Sequence, residues 1–104
     1  MNVRAIIVSP WRIIIGEHLE DLSNGTVVAF KRPIIIEELI TEKGMTLMPI
    51  PMGMIPPTGI VLFNYSHIIC DPYEPPENMT SMYIQATTGL VMNAGKELFK
   101  GRGQ

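Results

Sequence analysis

The residues that could do chemistry are two histidines, one cysteine, four serines and two adjacent pairs of acidic residues. His18 and His67 lack further ligands at any of the spacings that zinc sites use. None of the serines lies in a Gly-x-Ser-x-Gly elbow, and no glycine-rich phosphate loop is present. Glu20-Asp21 and Glu37-Glu38 are neighbours in predicted strands, so the two carboxylates of each pair point to opposite faces. We therefore expect a protein that is not an enzyme and that uses no metal, cofactor or small-molecule substrate.

The composition favours a small domain that associates with copies of itself. The chain has 104 residues, enough for one domain, of which 46% are hydrophobic and only 17% are charged. So sparse a charged surface leaves apolar area that association would cover. The eight methionines fit the same interpretation, since methionine fills irregular gaps in cores and subunit seams. The net charge of −2 argues against a long basic face that grips duplex DNA.

The cysteine and the N-terminal residues indicate an intracellular protein. Cys70 has no partner for an intrachain disulfide, and its apolar neighbours favour buried packing. The apolar run Ala5–Val8 is bounded by Arg4, Pro10 and Arg12, so it is neither a signal-peptide core nor a membrane span. We expect a cytoplasmic location without a membrane partner.

The first two-thirds of the chain have the pattern of an antiparallel sheet, in short runs rich in Ile, Val, Thr, Phe and Tyr. Asn24-Gly25 tolerates the positive φ angles of a two-residue turn, so we expect a hairpin between strands over 12–22 and 26–36. Pro33 cannot donate a ladder hydrogen bond. The second strand should therefore bend near Lys31-Arg32-Pro33.

After this hairpin the sequence predicts three more short strands and then a helix. Pro49 and Pro51 put both missing donors on one side of a strand over 45–52, as suits the edge of a sheet. Strands over 60–63 and 67–70 flank a tight turn at Asn64-Tyr65-Ser66. From Glu77 to Thr87 the apolar residues fall at helical spacing on one face. These residues are Met79, Met82, Tyr83 and Ala86.

The predicted fold class is mainly β: a small, five-stranded, strongly bent antiparallel sheet or barrel with a C-terminal helix. We divide the chain into an extended N-terminal arm (1–10), the barrel (11–74), the helix (75–90) and a loose tail (91–104).

Two stretches resemble Sm and Sm-like proteins. Residues 22–28, Leu-Ser-Asn-Gly-Thr-Val-Val, resemble the turn from the first strand into the long, bent second strand of that family. Residues 61–68, Val-Leu-Phe-Asn-Tyr-Ser-His-Ile, are similar to the corner between the fourth and fifth strands of bacterial Hfq, where a Tyr-x-His triplet stands. Over residues 11–90, with Lys31-Arg32-Pro33 and Asp71–Pro75, the sequence looks like the Sm-like proteins of bacteriophages of marine cyanobacteria.

This resemblance implies a homo-oligomeric ring that forms when the open sheet edges pair between subunits, in a bacterial or phage-infected cell. Sm-like rings commonly bind single-stranded RNA at the pore. By position, Tyr65, Ser66 and His67 match the pore-facing corner, and Asn64 adjoins it. The Asp-x-x-Met-Asn loop of the family is absent, and Lys31-Arg32 stand near its place. The RNA-binding residues that we expect are Lys31, Arg32, Asn64, Tyr65, Ser66 and His67.

Other interpretations stay open. The corner residues would also suit a turn that only shapes the sheet, and Lys31-Arg32 would suit a solvated bend. A ring that binds only protein, for example as a structural or assembly component of a phage, is the alternative function. The chain also departs from the family pattern, because many Sm proteins carry an N-terminal helix, whereas here the helix comes last.

Overall fold

The computed structural model describes residues 2–88, which form one six-stranded antiparallel sheet and one helix. The strands are β1 (Val3–Val8), β2 (Arg12–His18), β3 (Val27–Thr41), β4 (Gly44–Pro51), β5 (Ile60–Asn64) and β6 (Ile68–Tyr73). Helix α1 occupies residues 77–88. The strand order is β4-β3-β2-β1-β6, with β5 also paired to β3, so the sheet is open. The predicted fold class is confirmed, with one strand more than expected, while the predicted tail lies outside the described residues.

The additional strand is β1, which lies inside the sheet. It pairs with β2 along its whole length, from Val3 opposite Glu17 to Val8 opposite Arg12, and with β6 on its other side. Residues 3–8 are thus part of the sheet and not the extended arm that the sequence predicted. The charged Arg4 does not break the strand, because it is only partly buried and its guanidinium donates a hydrogen bond of 2.8 Å to the Val3 carbonyl.

Strand β3 bends at the predicted place. Its first half pairs with β5 and its second half with β4, while its register against β2 shifts by one residue between Lys31 and Ile34. Arg32 has a φ of 50°, and Pro33 beside it is buried. An extra residue of this kind is a β-bulge, which bends the strand and changes the face of the side chains that follow. The predicted bend is confirmed.

Two cores lie on opposite faces of the sheet, since consecutive residues of β1 and β2 point to opposite sides. The first core lies beneath α1 and contains Val3, Ala5, Ile15, Ile34, Ile36, Met79 and Tyr83. The second core contains Ile6, Ile14, Val28 and Phe30. On α1, Met82 and Ala86 also pack against the first core, so the predicted apolar face of the helix is confirmed.

The connection between β2 and β3 differs from the predicted two-residue hairpin. It spans residues 19–26 and includes a 3₁₀ turn at Glu20–Leu22. Gly25 does not have the positive φ that a type I′ turn needs. Instead, the Asn24 side-chain oxygen accepts a hydrogen bond of 2.7 Å from the Thr26 N–H. The asparagine therefore closes a local side-chain turn, which competes with the hairpin geometry that Asn-Gly otherwise favours.

The other predicted elements are confirmed. β4, which contains Pro49 and Pro51, lies at the end of the strand order. β5 and β6 are joined by a 3₁₀ turn at Tyr65–His67, and α1 begins at residue 77. No helix within residues 2–88 is long and apolar enough to cross a membrane.

Candidate nucleic-acid interface

The 3₁₀ turn between β5 and β6 (Tyr65–His67) is called the corner turn below. Asn64 caps it, because its side-chain oxygen accepts a hydrogen bond of 2.9 Å from the Ser66 N–H. The Tyr65 side chain is half-buried and packs against the second core. Ser66 and His67 are exposed. Two of the four predicted residues thus hold the turn, and the other two present polar side chains to the surroundings.

The predicted basic pair lies at the bend of β3. Lys31 is half-buried, whereas the Arg32 side chain is 56% exposed. The Arg32 guanidinium lies 3.8 Å from a carboxylate oxygen of Glu17, a long and solvated ion pair that contributes little stability. The Tyr83 hydroxyl donates to the backbone carbonyls of both residues. The fold therefore fixes the backbone of the pair, and Glu17 offsets part of its positive charge.

The basic pair and the corner turn lie at opposite ends of β5. Lys31 is opposite Ile60, the first residue of β5, and Val27 is opposite Asn64, the last. Four residues of strand at about 3.3 Å each separate the two groups by roughly 13 Å. Within one chain, the structure does not bring the six predicted residues into a single site.

The turn between β1 and β2 lies beside the corner turn and was not among the predicted site residues. The Ser9 N–H donates a hydrogen bond of 2.8 Å to the His67 carbonyl. The same turn carries Trp11, which is 65% exposed and is the one tryptophan of the chain. An exposed large aromatic residue often marks an interaction site. The feature of the sequence that indicates this site is a tryptophan directly after Pro10. A turn at that point leaves the large side chain without a core in which to pack.

Open strand edges flank the corner turn on both sides. Among the described residues, β5 pairs only with β3, and β6 pairs only with β1. Each strand also exposes a large apolar side chain: Leu62 on β5 is 59% exposed, and Ile69 on β6 is 52% exposed. Unpaired edges with exposed apolar residues are typical of surfaces that another chain covers.

The histidine and cysteine positions carry no metal-binding geometry. Within residues 2–88, no three His, Cys, Asp or Glu side chains converge on a point that could hold an ion. The His18 ring is fixed by the Ser23 hydroxyl at 3.1 Å and by an edge-on contact with Phe30. Cys70 is half-buried on β6, so it is less enclosed than its sequence predicted.

Together these features define a small, open and strongly bent antiparallel sheet covered on one face by a helix, with polar side chains at the corner turn between two open edges. Neither the protein-family models nor the curated proteins contain a match to this chain.

Proposed function

We propose that the chain assembles into a closed ring of identical subunits, of the Sm-like type, and binds single-stranded RNA around the pore. The observation that carries the proposal is that two open strand edges, those of β5 and β6, flank the corner turn. If β5 of one subunit pairs with β6 of the next, both edges are satisfied in every subunit at once. Head-to-tail pairing of this kind gives a ring when the rotation between subunits closes.

The apolar side chains on these strands support the same seam. Leu62 and Ile69 are each more than half exposed in the single chain. Fully burying such a side chain contributes about 1.5–3 kcal/mol, so covering the exposed parts of both adds on the order of 2 kcal/mol to each seam. This gain comes in addition to the paired backbone groups and favours association over an isolated chain.

A ring repeats the corner turn around its axis, and the exposed side chains of that turn suit RNA. The exposed Ser66 hydroxyl and His67 imidazole can donate hydrogen bonds to phosphates and can both donate to and accept from base edges. Lys31 and Arg32 lie on β3, where Lys31 is opposite the first residue of β5. They add positive charge at the end of β5 that is remote from the corner turn. The net charge of −2 per chain limits binding to such local contacts.

A ring that binds only protein is the second candidate, and one observation favours it. Ile40 and Met45 are opposite each other near the outer end of β3 and β4, where they are 90% and 65% exposed. RNA contacts do not need an apolar patch of this kind, whereas a protein partner would bury it. Salt distinguishes the two candidates, because RNA held through phosphates dissociates as salt rises and an apolar protein contact does not.

Native mass spectrometry of the full chain tests the ring. A closed ring gives one defined oligomer that persists across micromolar protein concentrations. A monomer at these concentrations contradicts the ring and the seam together. An open series of sizes that grows with concentration contradicts ring closure while leaving edge pairing in place.

Fluorescence polarisation with short U-rich, A-rich and mixed RNAs tests the ligand. We expect binding at low micromolar protein and low salt, with affinity that falls steeply as salt increases. Combining Ser66→Ala with His67→Ala removes two hydrogen-bonding side chains and should weaken binding roughly tenfold or more. The matched control is Ser81→Ala on the exposed face of α1, which should leave the affinity unchanged. Absence of RNA binding by an intact ring contradicts the RNA half of the proposal and leaves the protein-binding ring.

A further inference from the structure

A groove of about 370 Å³ lies between the β1–β2 turn and the outer half of β3. It begins where β2 and β3 stop pairing, because Ile13 opposite Ile36 is the last pair of that ladder. Residues 10–12 line one side of the groove, and Glu37 with Glu38 line the other. The groove is therefore the gap left when β2 turns away and β3 continues.

The outer half of β3 has an unpaired edge on the side of this groove. Among the described residues, the five residues from Glu37 to Thr41 pair only with β4. Their outward backbone N–H and C=O groups have no neighbouring strand where β2 would otherwise continue. Such an edge can accept an extended peptide as an added strand, a common mode of peptide recognition.

The charges at the groove are unbalanced. Arg12 forms an ion pair of 2.9 Å with Glu37. Glu38 is exposed and has no ion-pair partner among residues 2–88. One cationic side chain and two carboxylates therefore leave the groove with one net negative charge. An acidic groove repels the phosphates of RNA and attracts a cation.

The aromatic and apolar side chains complete the recognition surface. Trp11 lines the groove with 65% of its surface exposed, and the face of an indole ring attracts ammonium and guanidinium groups. Ile40 lies two residues beyond Glu38, on the same face of β3, and is 90% exposed. Trp11 and Glu38 thus line the groove, and Ile40 lies beyond it on the same face of β3 as Glu38.

We propose that this groove binds an extended segment of a partner protein that carries a lysine or arginine, added as a strand along residues 37–41 of β3. The segment's backbone pairs with the open edge. Its basic side chain lies between the Glu38 carboxylate and the Trp11 ring. An apolar side chain two residues further along covers Ile40, because side chains on one face of a strand repeat every second residue. This site depends neither on the ring nor on RNA at the corner turn.

Trp11 allows a direct test, because it is the one tryptophan of the chain and reports on the groove by its own fluorescence. The probe is a blocked hexapeptide, Thr-Lys-Thr-Val-Thr-Thr, which carries lysine and valine two residues apart on one face, and it is added to the full chain. The control is the same peptide with glutamate for lysine. We expect a saturable change of Trp11 fluorescence and binding of the basic peptide about tenfold or more tighter than the acidic one. Equal affinity for both peptides, or no response to either, overturns the proposal.

Two N-methylated versions of the basic peptide, one for each edge of its strand, test the backbone pairing. N-methylation keeps the charge of the peptide and removes the backbone N–H donors along one edge of its strand. The version that is methylated on the edge facing β3 cannot pair, so at least one of the two versions should lose binding. Retention of binding by both contradicts strand addition.

Glu38→Gln tests the carboxylate, and Glu42→Gln in the β3–β4 turn is the matched control. Only the first variant should remove the preference for the basic peptide. If both variants lose the preference to the same extent, the attraction is a general effect of charge and the site is wrong.

Fluorescence that changes with protein concentration alone would assign the groove to a second copy of the chain, and a response to RNA but not to peptide would assign it to nucleic acid. Either result overturns the proposal.

Discussion

The hydroxyl of Tyr83 on α1 donates a hydrogen bond of 2.9 Å to the backbone carbonyl of Arg32 and lies 3.2 Å from that of Lys31. Both carbonyls belong to the bulge of β3, where the ladder with β2 shifts its register. Carbonyls that a bulge releases from the ladder need another partner where they are shielded from water, and both of these contacts are part-buried. The C-terminal helix therefore fixes the bend of the sheet and also covers a core.

Tyr83→Phe removes these hydrogen bonds and keeps the ring. The free energy of unfolding should fall by about 1–2 kcal/mol, because the carbonyls of Lys31 and Arg32 lose their shared donor at a part-buried position. Urea denaturation measures the change. The control is Tyr73→Phe, since the hydroxyl of Tyr73 has no hydrogen-bond partner among the described residues and its loss should cost less than about 0.5 kcal/mol. Equal losses in the two variants would contradict the role of Tyr83 at the bulge.

The same residue predicts how stability depends on pH. Burial raises the pKa of Tyr83, while nearby Arg32 lowers it and Glu17 raises it, with a net shift upwards. Because the pKa of Tyr83 is raised in the folded state, the neutral hydroxyl stabilises the fold fully at pH values below the ordinary tyrosine pKa of about 10. This contribution is lost as pH rises through the pKa of the folded state. The free energy of unfolding should therefore decline on the alkaline side.

Urea midpoints from about pH 8 to about pH 11 measure this decline. Tyr83→Phe should make the decline shallower. The pKa of Tyr73 is also raised, by burial and by Cys70, so part of the slope should remain until Tyr73 is replaced as well. A slope unchanged in Tyr83→Phe would show that the neutral hydroxyl does not stabilise the bend.

Gly16 lies on β2 opposite the bulge, and its missing side chain makes room for it. A Cβ atom there would lie 3.1 Å from Phe30 Cδ2 and 3.1 Å from Pro33 Cα. Both neighbours are buried, and the second is backbone, so Gly16→Ala should cost about 1–3 kcal/mol through overpacking. Gly53→Ala is the matched control, because a Cβ at Gly53 meets no atom within 4 Å. Thermal unfolding that is unchanged by Gly16→Ala would contradict the close approach at the bend.

Local chemistry made several elements predictable. Pro33 lacks the donor that a continuous ladder needs, so the bend followed from one residue. The face of α1 followed from apolar spacing, since Met79 and Tyr83 are both buried. The edge position of β4 followed from its two prolines.

Other features depended on contacts between distant parts of the chain. Arg4 interrupts the apolar run of β1 in the sequence, yet neighbours on both sides hold that strand in the sheet. Asn24-Gly25 favours a two-residue turn only when the flanking strands reach it, and β2 ends at His18. The groove beside Trp11 exists because β3 continues beyond its last pair with β2. The sequence does not show where this pairing stops, so it did not predict the groove.

The proposed seam predicts different outcomes at two exposed apolar residues. Leu62 lies on the open edge strand β5, whereas Ile40 lies on the outer half of β3. Both are mostly exposed in the single chain, so an arginine at either position leaves the cores intact. Leu62→Arg places a charge in the seam between β5 and β6 and should shift the native mass spectrum towards smaller species. RNA binding should fall with it, because the corner turns no longer surround one pore.

Ile40→Arg is matched in size and charge to Leu62→Arg and lies outside the proposed seam. It should leave the oligomer intact, and circular dichroism should show that both variants remain folded. If Ile40→Arg dissociates the oligomer and Leu62→Arg does not, the subunits meet through the outer half of β3. The chain would then form an oligomer, but not through the pairing of β5 with β6. The subunits would instead meet at the edge of β3 beside Trp11 or at the edge of β4.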